Sequence, residues 1–414
     1  MRQPSVRIAV LAAALAATVP TTATGQPLDL DAVTSRLEPV VEREMLEGRI
    51  PSLSVALVVG DRIVWSSGFG QSNLWARTPT TADTVYLIGS TFKTMQTVAL
   101  LQLAQQGKLA LDDRVSDHLD GLTIDGEDPS RPVTFRHLLT HSSGILGQAE
   151  PGAFPDPMDE MTKRVIPYWD RPFAAYPIWG YVLPPPIEDY LRASLKVNRP
   201  PLEKVEYSPV AFTLVAHLAE KLSGTPFLEY IQSHIFDPLE MTSTAFIPTA
   251  DMDERFAIPY VVDPQTKHHV AISRVRVAIW PTGQVYGTAL DQAHWLIANL
   301  NGGRFRDHQL IDPEILDEIH TRQFESLARP TPDGGTIGYG LGWNVTTLDG
   351  ERYISHSGSL PGETAFLLGN LDRKIGVALL SNGNRAHARL ERIARKAIEL
   401  SSRAAGDRPT AASR

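Results

Sequence analysis

Apolar residues recur at helical spacing over 29–47, at Leu30, Val33, Leu37, Val40, Val41 and Met45. Spacings of three and four residues place them on one stripe and predict an amphipathic helix. Gly48 and Pro51 mark its end. The pattern then tightens. Residues 53–59 and Ile63-Val64-Trp65 are rich in β-forming side chains and flank Gly60-Asp61, which predicts a hairpin. Val85-Tyr86-Leu87-Ile88-Gly89 leads into a second helical segment, from Ser90 to about Gln106, which Gly107 stops. Another helix starts over 134–140, and further helical segments follow at 209–222, 226–234 and 288–300. From Arg352 the pattern is extended again, with strands at 353–355, 365–368 and 375–380. A basic amphipathic helix over about 385–402 closes the sequence, and 403–414 reads as a frayed tail.

Strands at both ends with helices between them predict an α+β fold. One antiparallel sheet would be built from both termini, about 26–70 and 350–402, with the terminal helices on one face. A mostly helical part, about 71–349, would be inserted, and an active site would lie in the cleft between the two. Within the insert, residues 151–201 stand apart. They hold 11 of the 31 prolines together with Phe154, Tyr168, Trp169, Phe173, Tyr176, Trp179, Tyr181 and Tyr190. Proline interrupts regular elements, but so many aromatics argue against a solvated linker. The segment reads as ordered and irregular, either as packing or as a wall on the substrate side.

Composition narrows the class. Of the 414 residues, 43% are hydrophobic and 21% charged, a globular profile long enough for a large core. Arg2 and Arg7, the apolar run from Ile8 to Val19 and the small residues Ala23-Thr24-Gly25 have the form of a secretory leader. The run is short for a membrane span, so cleavage near Gln26 and a periplasmic or extracellular product are expected. Without Arg2 and Arg7 the mature chain would carry 37 basic and 47 acidic residues, a net charge of −10. No basic cluster stands out, which argues against nucleic acid as a partner. There is no cysteine, which excludes disulfides, thiolate catalysis and cysteine-bound metal.

Ser90 and Lys93 are the candidate chemistry. Helical spacing puts residues i and i+3 on one face, within reach of each other. A serine hydroxyl needs a nearby base to act as a nucleophile at neutral pH, and an S-x-x-K pair provides one without histidine. Such a pair occurs about once by chance in a chain of this length and average composition. Here it occurs once, at the head of a helix that follows a strand. His137 and His141 are spaced i, i+4 and could hold a metal, but no third ligand accompanies them, and capping and packing are the expected roles. His268-His269 reads as a loop pair.

Three other segments join the pair: Tyr207-Ser208-Pro209 before a helix, His356-Ser357-Gly358-Ser359 on a strand, and Leu138-Leu139-Thr140-His141-Ser142-Ser143-Gly144. Together with Gly89-Ser90-Thr91-Phe92-Lys93 they resemble the serine β-lactamase and penicillin-binding-protein superfamily. Within it the likeness is to class C β-lactamases and family VIII carboxylesterases. It runs from about 30 to 400 and includes residues 100–113, Tyr339-Gly340-Leu341-Gly342-Trp343, Pro361-Gly362 and Leu380-Ser381-Asn382-Gly383. The resemblance implies a β-lactamase/transpeptidase-like fold with no cofactor or metal. Ser90 would be the acyl-accepting nucleophile, Lys93 would assist its deprotonation, and Tyr207 would be a second base or proton relay. Gly358 would let a substrate lie along the strand, His356 would face it, and the N–H groups of Ser90 and Ser359 would form an oxyanion hole.

Two residues depart from the family pattern. Pro209 stands where the Y-x-N motif has Asn, and His356 stands where K-T-G has Lys. The first removes a side-chain amide that holds a substrate's amide carbonyl; Ser208 or a residue of 151–201 would have to replace it. The second weakens attraction for a carboxylate. Both point to an exported serine hydrolase acting on a small-molecule ester, or on an amide or peptide. A D-amino-acid peptidase, a β-lactamase and a non-catalytic binding protein on the same fold are the alternatives. A Ser-His-Asp hydrolase is disfavoured because no G-x-S-x-G elbow exists.

Overall fold

The computed structural model describes residues 28–147, 175–177, 187–272, 274–277 and 279–405. The expected leader, most of the 151–201 segment and all but the first three residues of the expected tail lie outside them.

The first helix, α1, spans Leu30–Gly48. The Asp29 side chain caps it by accepting the Ala32 N–H at 3.0 Å. Gly48 ends the helix from inside; the left-handed capping conformation belongs to Arg49, φ 51°. Strands β1 (Ser52–Val59) and β2 (Arg62–Asn73) follow as the expected hairpin, and β3 (Thr78–Pro79) extends it. Two short strands, β4 (Tyr86–Leu87) and β5 (Tyr286–Gly287), pair with each other across the helical part. The remaining sheet strands are β6 (Arg329–Pro330), β7 (Thr336–Tyr339), β8 (Asn344–Leu348), β9 (Glu351–Leu360), β10 (Glu363–Asn370) and β11 (Ile375–Ser381).

These strands form one nine-stranded antiparallel sheet, ordered β6-β7-β8-β9-β10-β11-β1-β2-β3. The two ends of the chain meet in its centre, where Leu53 pairs with Ser381 and Val59 with Ile375. The mixed α+β architecture expected from the sequence is therefore present. The sheet is wider than expected: β6, β7 and β8 come from 329–348, a stretch assigned to the helical part.

Both faces of the central strands are covered, which explains their continuous apolar runs. Alternation assigns the faces. Leu53, Val55 and Leu57 point with Val377 and Leu379 toward Val33, Leu37 and Val41 of α1 and toward Leu390, Ile393 and Ala397 of the final helix, His387–Ala404. Ala56, Val58, Ala378 and Leu380 point the other way, into the core shared with the helical part. In that core lies α2 (Lys93–Gln105), buried around its circumference from Lys93 through Leu101. It is flanked by the helices Pro209–Ser223 and Phe227–Ile231. Burial on all sides keeps the start of α2 from moving relative to the sheet. No helix of the described residues is long and apolar enough to cross a membrane.

The terminal helices are joined by a buried carboxylate. Glu44, 3% exposed, accepts from Arg389 at 2.9 Å and from Arg392 at 2.8 Å. Burial alone would raise its pKa, but the two guanidiniums outweigh burial and hold it below the usual carboxylate value. Glu44→Ala takes a partner from two partly exposed arginines, of which Arg389 keeps Glu47, and should cost about 1–3 kcal/mol, less than for a fully buried pair. A lowered folded pKa means that this contribution is present above the unfolded value of about 4.3 and is lost as pH falls. Thermal melts of both proteins at pH 7 and pH 3.5 test this; an equal gap at the two pH values would contradict the charge-based account.

Candidate active site

The segment that carries Ser90 is short and tightly held. After β4, Gly89–Phe92 makes a 3₁₀ turn that runs directly into α2. Gly89 takes φ 57°, a left-handed conformation, and a Cβ there would lie 2.7 Å from the Ser359 nitrogen. A Cβ on Gly358 would lie 2.0 Å from the Ile88 carbonyl oxygen. The strand position expected to admit substrate closely is thus one that admits the serine turn closely. Gly358 is glycine because the turn's backbone packs against it.

The turn places Ser90 at the mouth of a cleft of about 390 Å³. Lys93 lies beneath, fully buried, with Nζ 3.0 Å from Ser90 Oγ and 2.8 Å from the Thr282 carbonyl oxygen. Burial holds its pKa well below the usual lysine range, which favours the neutral amine. A carbonyl oxygen only accepts, so one amine N–H must point at Thr282. The amine's lone pair is then free to take the proton of Ser90. Thr282 carried no signal in the sequence, because its contribution is a backbone oxygen.

Tyr207 closes the other side, its ring centroid 5.2 Å from Lys93 Nζ. The residue is 41% exposed, yet its hydroxyl turns into the cleft toward Ser90. Desolvation raises the phenol above its usual pKa, and the Ser90 interaction offsets only part of the rise. Lysine and tyrosine are both pushed toward their neutral forms.

His141 positions Tyr207. It adopts a left-handed backbone, φ 55°, beyond the helix Phe135–Leu139. It is therefore not one helical turn along a face from His137, whose Nδ1 accepts the Thr134 N–H at 3.2 Å as part of a capping box. His141 instead grips the Tyr207 segment. Its carbonyl accepts from Glu206 N–H at 2.8 Å, its Nδ1 accepts from Ser208 N–H at 3.1 Å, and its ring lies 4.4 Å from that of Tyr207. The Thr-His-Ser-Ser-Gly motif was the available signal for this role. No group of three or more possible metal ligands occurs among the described residues.

Pro209 and Ser208 also have structural reasons. Pro209 is the first residue of the helix Pro209–Ser223, where its fixed φ is preorganised. Ser208 is the N-cap: its hydroxyl accepts from Ala211 N–H at 3.1 Å and donates to the Leu146 carbonyl at 2.9 Å. Ser208 is fully buried and committed to these bonds, so it does not replace the missing asparagine side chain. Asn344 and Tyr339 are further polar side chains on the cleft wall.

The opposite wall is β9. Its partner β8 pairs with it only as far as Ser355, opposite Asn344. Among the described residues, 356–360 therefore have no strand on that side, although β10 pairs them on the other. His356, Ser357 and Ser359 line the cleft along this free edge. His356 Nδ1 lies 2.8 Å from the Ser357 carbonyl, which fixes the ring proton on Nδ1 and leaves Nε2 as a buried lone pair without a partner. Burial first, then neighbouring Lys93, lower its pKa to about 3. His356 is neutral, and among the described residues no lysine, arginine, aspartate or glutamate is in the cleft lining.

The site thus joins a serine hydroxyl, a desolvated amine, a phenol and a free strand edge. A model of the family described as beta-lactamase matches residues 37–400. The chain belongs to the β-lactamase family. This is a family of serine hydrolases, and the resemblance drawn from the motifs is correct. Protein flp of Staphylococcus aureus strain N315 is 23% identical over 353 residues, 84% of this chain and 63% of that protein. The chain thus spans less than two thirds of that relative's length. Penicillin-binding protein 4* of Bacillus subtilis is 25% identical over 335 residues, 80% of this chain and 67% of that protein. The octameric penicillin-binding protein homologue from Pyrococcus abyssi superposes with a TM-score of 0.70 at 27% identity, covering 89% of this chain and 77% of that one. The β-lactamase/D-alanine carboxypeptidase from Yersinia pestis gives 0.70 at 19% identity, covering 90% and 99%. The last supports the fold alone.

Gly358→Ala tests the close approach. With 2.0 Å available, the methyl must displace the Ile88 carbonyl and the turn behind it. Overpacking of this kind costs about 1–3 kcal/mol or more. The expected result is a lower melting temperature together with loss of fluorophosphonate labelling at Ser90; wild-type labelling in this variant would show that the turn does not need the space.

Proposed function

We propose that this β-lactamase-family protein is an exported serine hydrolase that forms an acyl-enzyme on Ser90 and prefers uncharged esters. The observation that carries the ester preference is the charge of the cleft: among the described residues no lysine or arginine is in its lining, and burial favours the neutral form of its two histidines, His356 and His387. The reading of 1–25 as a secretory leader supports export.

Lys93 is the base for acylation. Its amine takes the Ser90 proton as Oγ bonds to the ester carbonyl carbon, and the carbonyl electrons move onto oxygen. The N–H groups of Ser90 and Ser359, at the two sides of the cleft, receive that oxyanion. Collapse expels the alkoxide, which takes a proton from Tyr207, and the Lys93 ammonium restores the phenol. Water then repeats the sequence in reverse and frees the acid. A neutral phenol suits this relay role, whereas a resting phenolate would not. The held geometry also argues against a non-catalytic binding protein: the lysine–serine contact is built at 3.0 Å within a buried frame.

A D-amino-acid peptidase is the second reading, favoured by the free edge of β9, along which an extended peptide could pair. Pro209 disfavours it, because it offers no side chain to an amide.

Ser90→Ala should reduce ester hydrolysis by several orders of magnitude, and peptide mapping should place a fluorophosphonate adduct on Ser90. Lys93→Ala and Tyr207→Phe should each lower kcat far more than they raise KM, and the double variant should lose much less than the product of the two losses. kcat/KM should rise with pH as Lys93 loses its proton. Full multiplicativity in the double variant, or an adduct elsewhere, would remove the shared proton network.

For selectivity, p-nitrophenyl butyrate should be turned over measurably and nitrocefin little. A site lacking a donor that its substrate needs forfeits discrimination on the order of 10⁴. Steady-state kinetics on this pair decide; nitrocefin as the faster substrate would reverse the preference.

A further inference from the structure

Glu363 is a carboxyl group that the chemistry above does not use. It opens β10, opposite Leu360 on β9 across the Pro361-Gly362 turn, and is 1% exposed. Its Oε1 accepts the Leu87 N–H at 3.1 Å. Its Oε2 is buried without a hydrogen-bond partner among the described residues. Leu87 is two residues before Gly89 and ends β4, whose only ladder partner is the two-residue β5. Ile88, the residue between, donates to Val285 at 2.8 Å and is the one whose carbonyl packs on Gly358. The strand that delivers Ser90 to the cleft is therefore short, and two of its residues are tied to the main sheet by side chains: Leu87 by Glu363 and Tyr86 by Ser52 and Ser54 of β1.

We propose that Glu363 is a positioning residue whose carboxyl holds the strand before Ser90 in register with the sheet, and that the ionised carboxylate holds it more firmly than the acid. A charge-assisted acceptor makes a shorter and stronger bond to an N–H than a neutral one does. The groups facing it are few. Arg274 acts on it from a distance while donating to the Ala257 carbonyl and stacking 4.0 Å over Phe256. The Tyr86 hydroxyl on β4 is occupied with Ser52 and Ser54, at 3.1 Å each. The turn Gly89–Phe92 adds no acid or base, and His387, in the first turn of the helix packed on β10, is kept neutral by burial. Burial raises the Glu363 pKa to about 7, with Arg274 and the Leu87 N–H opposing the rise. The group therefore changes charge near neutrality.

This role rests on Ser90 being the nucleophile, and the experiment separates the two. Full-length wild type, Glu363→Gln and Glu363→Ala are labelled with a fluorophosphonate from pH 6 to 8, with adducts mapped and melting temperatures recorded at each pH. Glutamine keeps an acceptor for Leu87 but cannot ionise. Taking the ratio of wild-type to Glu363→Gln labelling rates cancels the titration of Lys93. That ratio should rise about three- to tenfold from pH 6 to 8, and Glu363→Ala should label more slowly than Glu363→Gln throughout.

A carboxyl whose folded pKa is raised contributes stability at low pH and loses it as pH rises through about 7. Glu363→Gln should therefore melt a few degrees above wild type at pH 8, with a smaller gap at pH 6. The melts need no nucleophile and read the titration directly. A flat labelling ratio, or a gap in melting temperature that does not change with pH, would overturn the proposal. Wild type that never labels at Ser90 would overturn the nucleophile assignment and the role of Glu363 together.

Discussion

A lysine amine taken completely out of water is the constraint on which this structure depends. An ammonium buried there, with a carbonyl and a hydroxyl beside it, is unfavourable, so the nitrogen is pushed toward the neutral amine with its lone pair. That outcome needs dry walls. Phe212 lies 5.9 Å from the nitrogen, Tyr207 lies 5.2 Å away, and α2 is enclosed on every side. The same desolvation keeps His141 and His356 uncharged and pushes Tyr207 the opposite way. One physical cause, burial, thus pushes four groups toward their neutral forms.

The sheet supplies the rigidity that the buried amine requires. Central strands covered on both faces cannot shift without disturbing two cores. The serine turn is clamped to this frame at backbone level, with Ile88 seated over Gly358 and Gly89 against Ser359. The cleft wall and the support of the Ser90 turn are consequently the same strand. Its outer edge is free from 356 to 360, while its inner edge and glycine face belong to the protein.

Much of this was legible in the pattern of residues. Helix α1, the β1–β2 hairpin, the helix behind Tyr207 and the last strands follow periodicities that burial enforces. The Ser90–Lys93 contact followed from helical spacing, although Ser90 sits in a 3₁₀ turn and Lys93 begins the α-helix proper. What escaped was information without side-chain periodicity. Strands β6, β7 and β8 are short and sit at one end of the sheet; β6 is exposed, and β7 and β8 are only partly buried except at Val345 and Thr346, so neither alternation nor a long apolar run announces them. The Thr282 contribution is a main-chain oxygen. The left-handed backbone of His141 took it off the helix face that i, i+4 counting assumed. Gly358 was recognised as a close approach, but its partner was the protein itself.

The pairing of β1 with β11 has a consequence for how the molecule comes into being. Leu53 emerges among the first residues of the sheet and Ser381 among the last, and neither can be placed without the other. The wall opposite Ser90 likewise waits for residues 356–360 to be made. Contacts so distant along the chain close slowly, because a large loop must be ordered before they form. Ser90 is therefore synthesised long before the surface that holds it, and a ribosome-bound fragment carries Ser90 and Lys93 without the cleft around them. Assembly of this fold is a late event, deferred until residues 356–381 have been made.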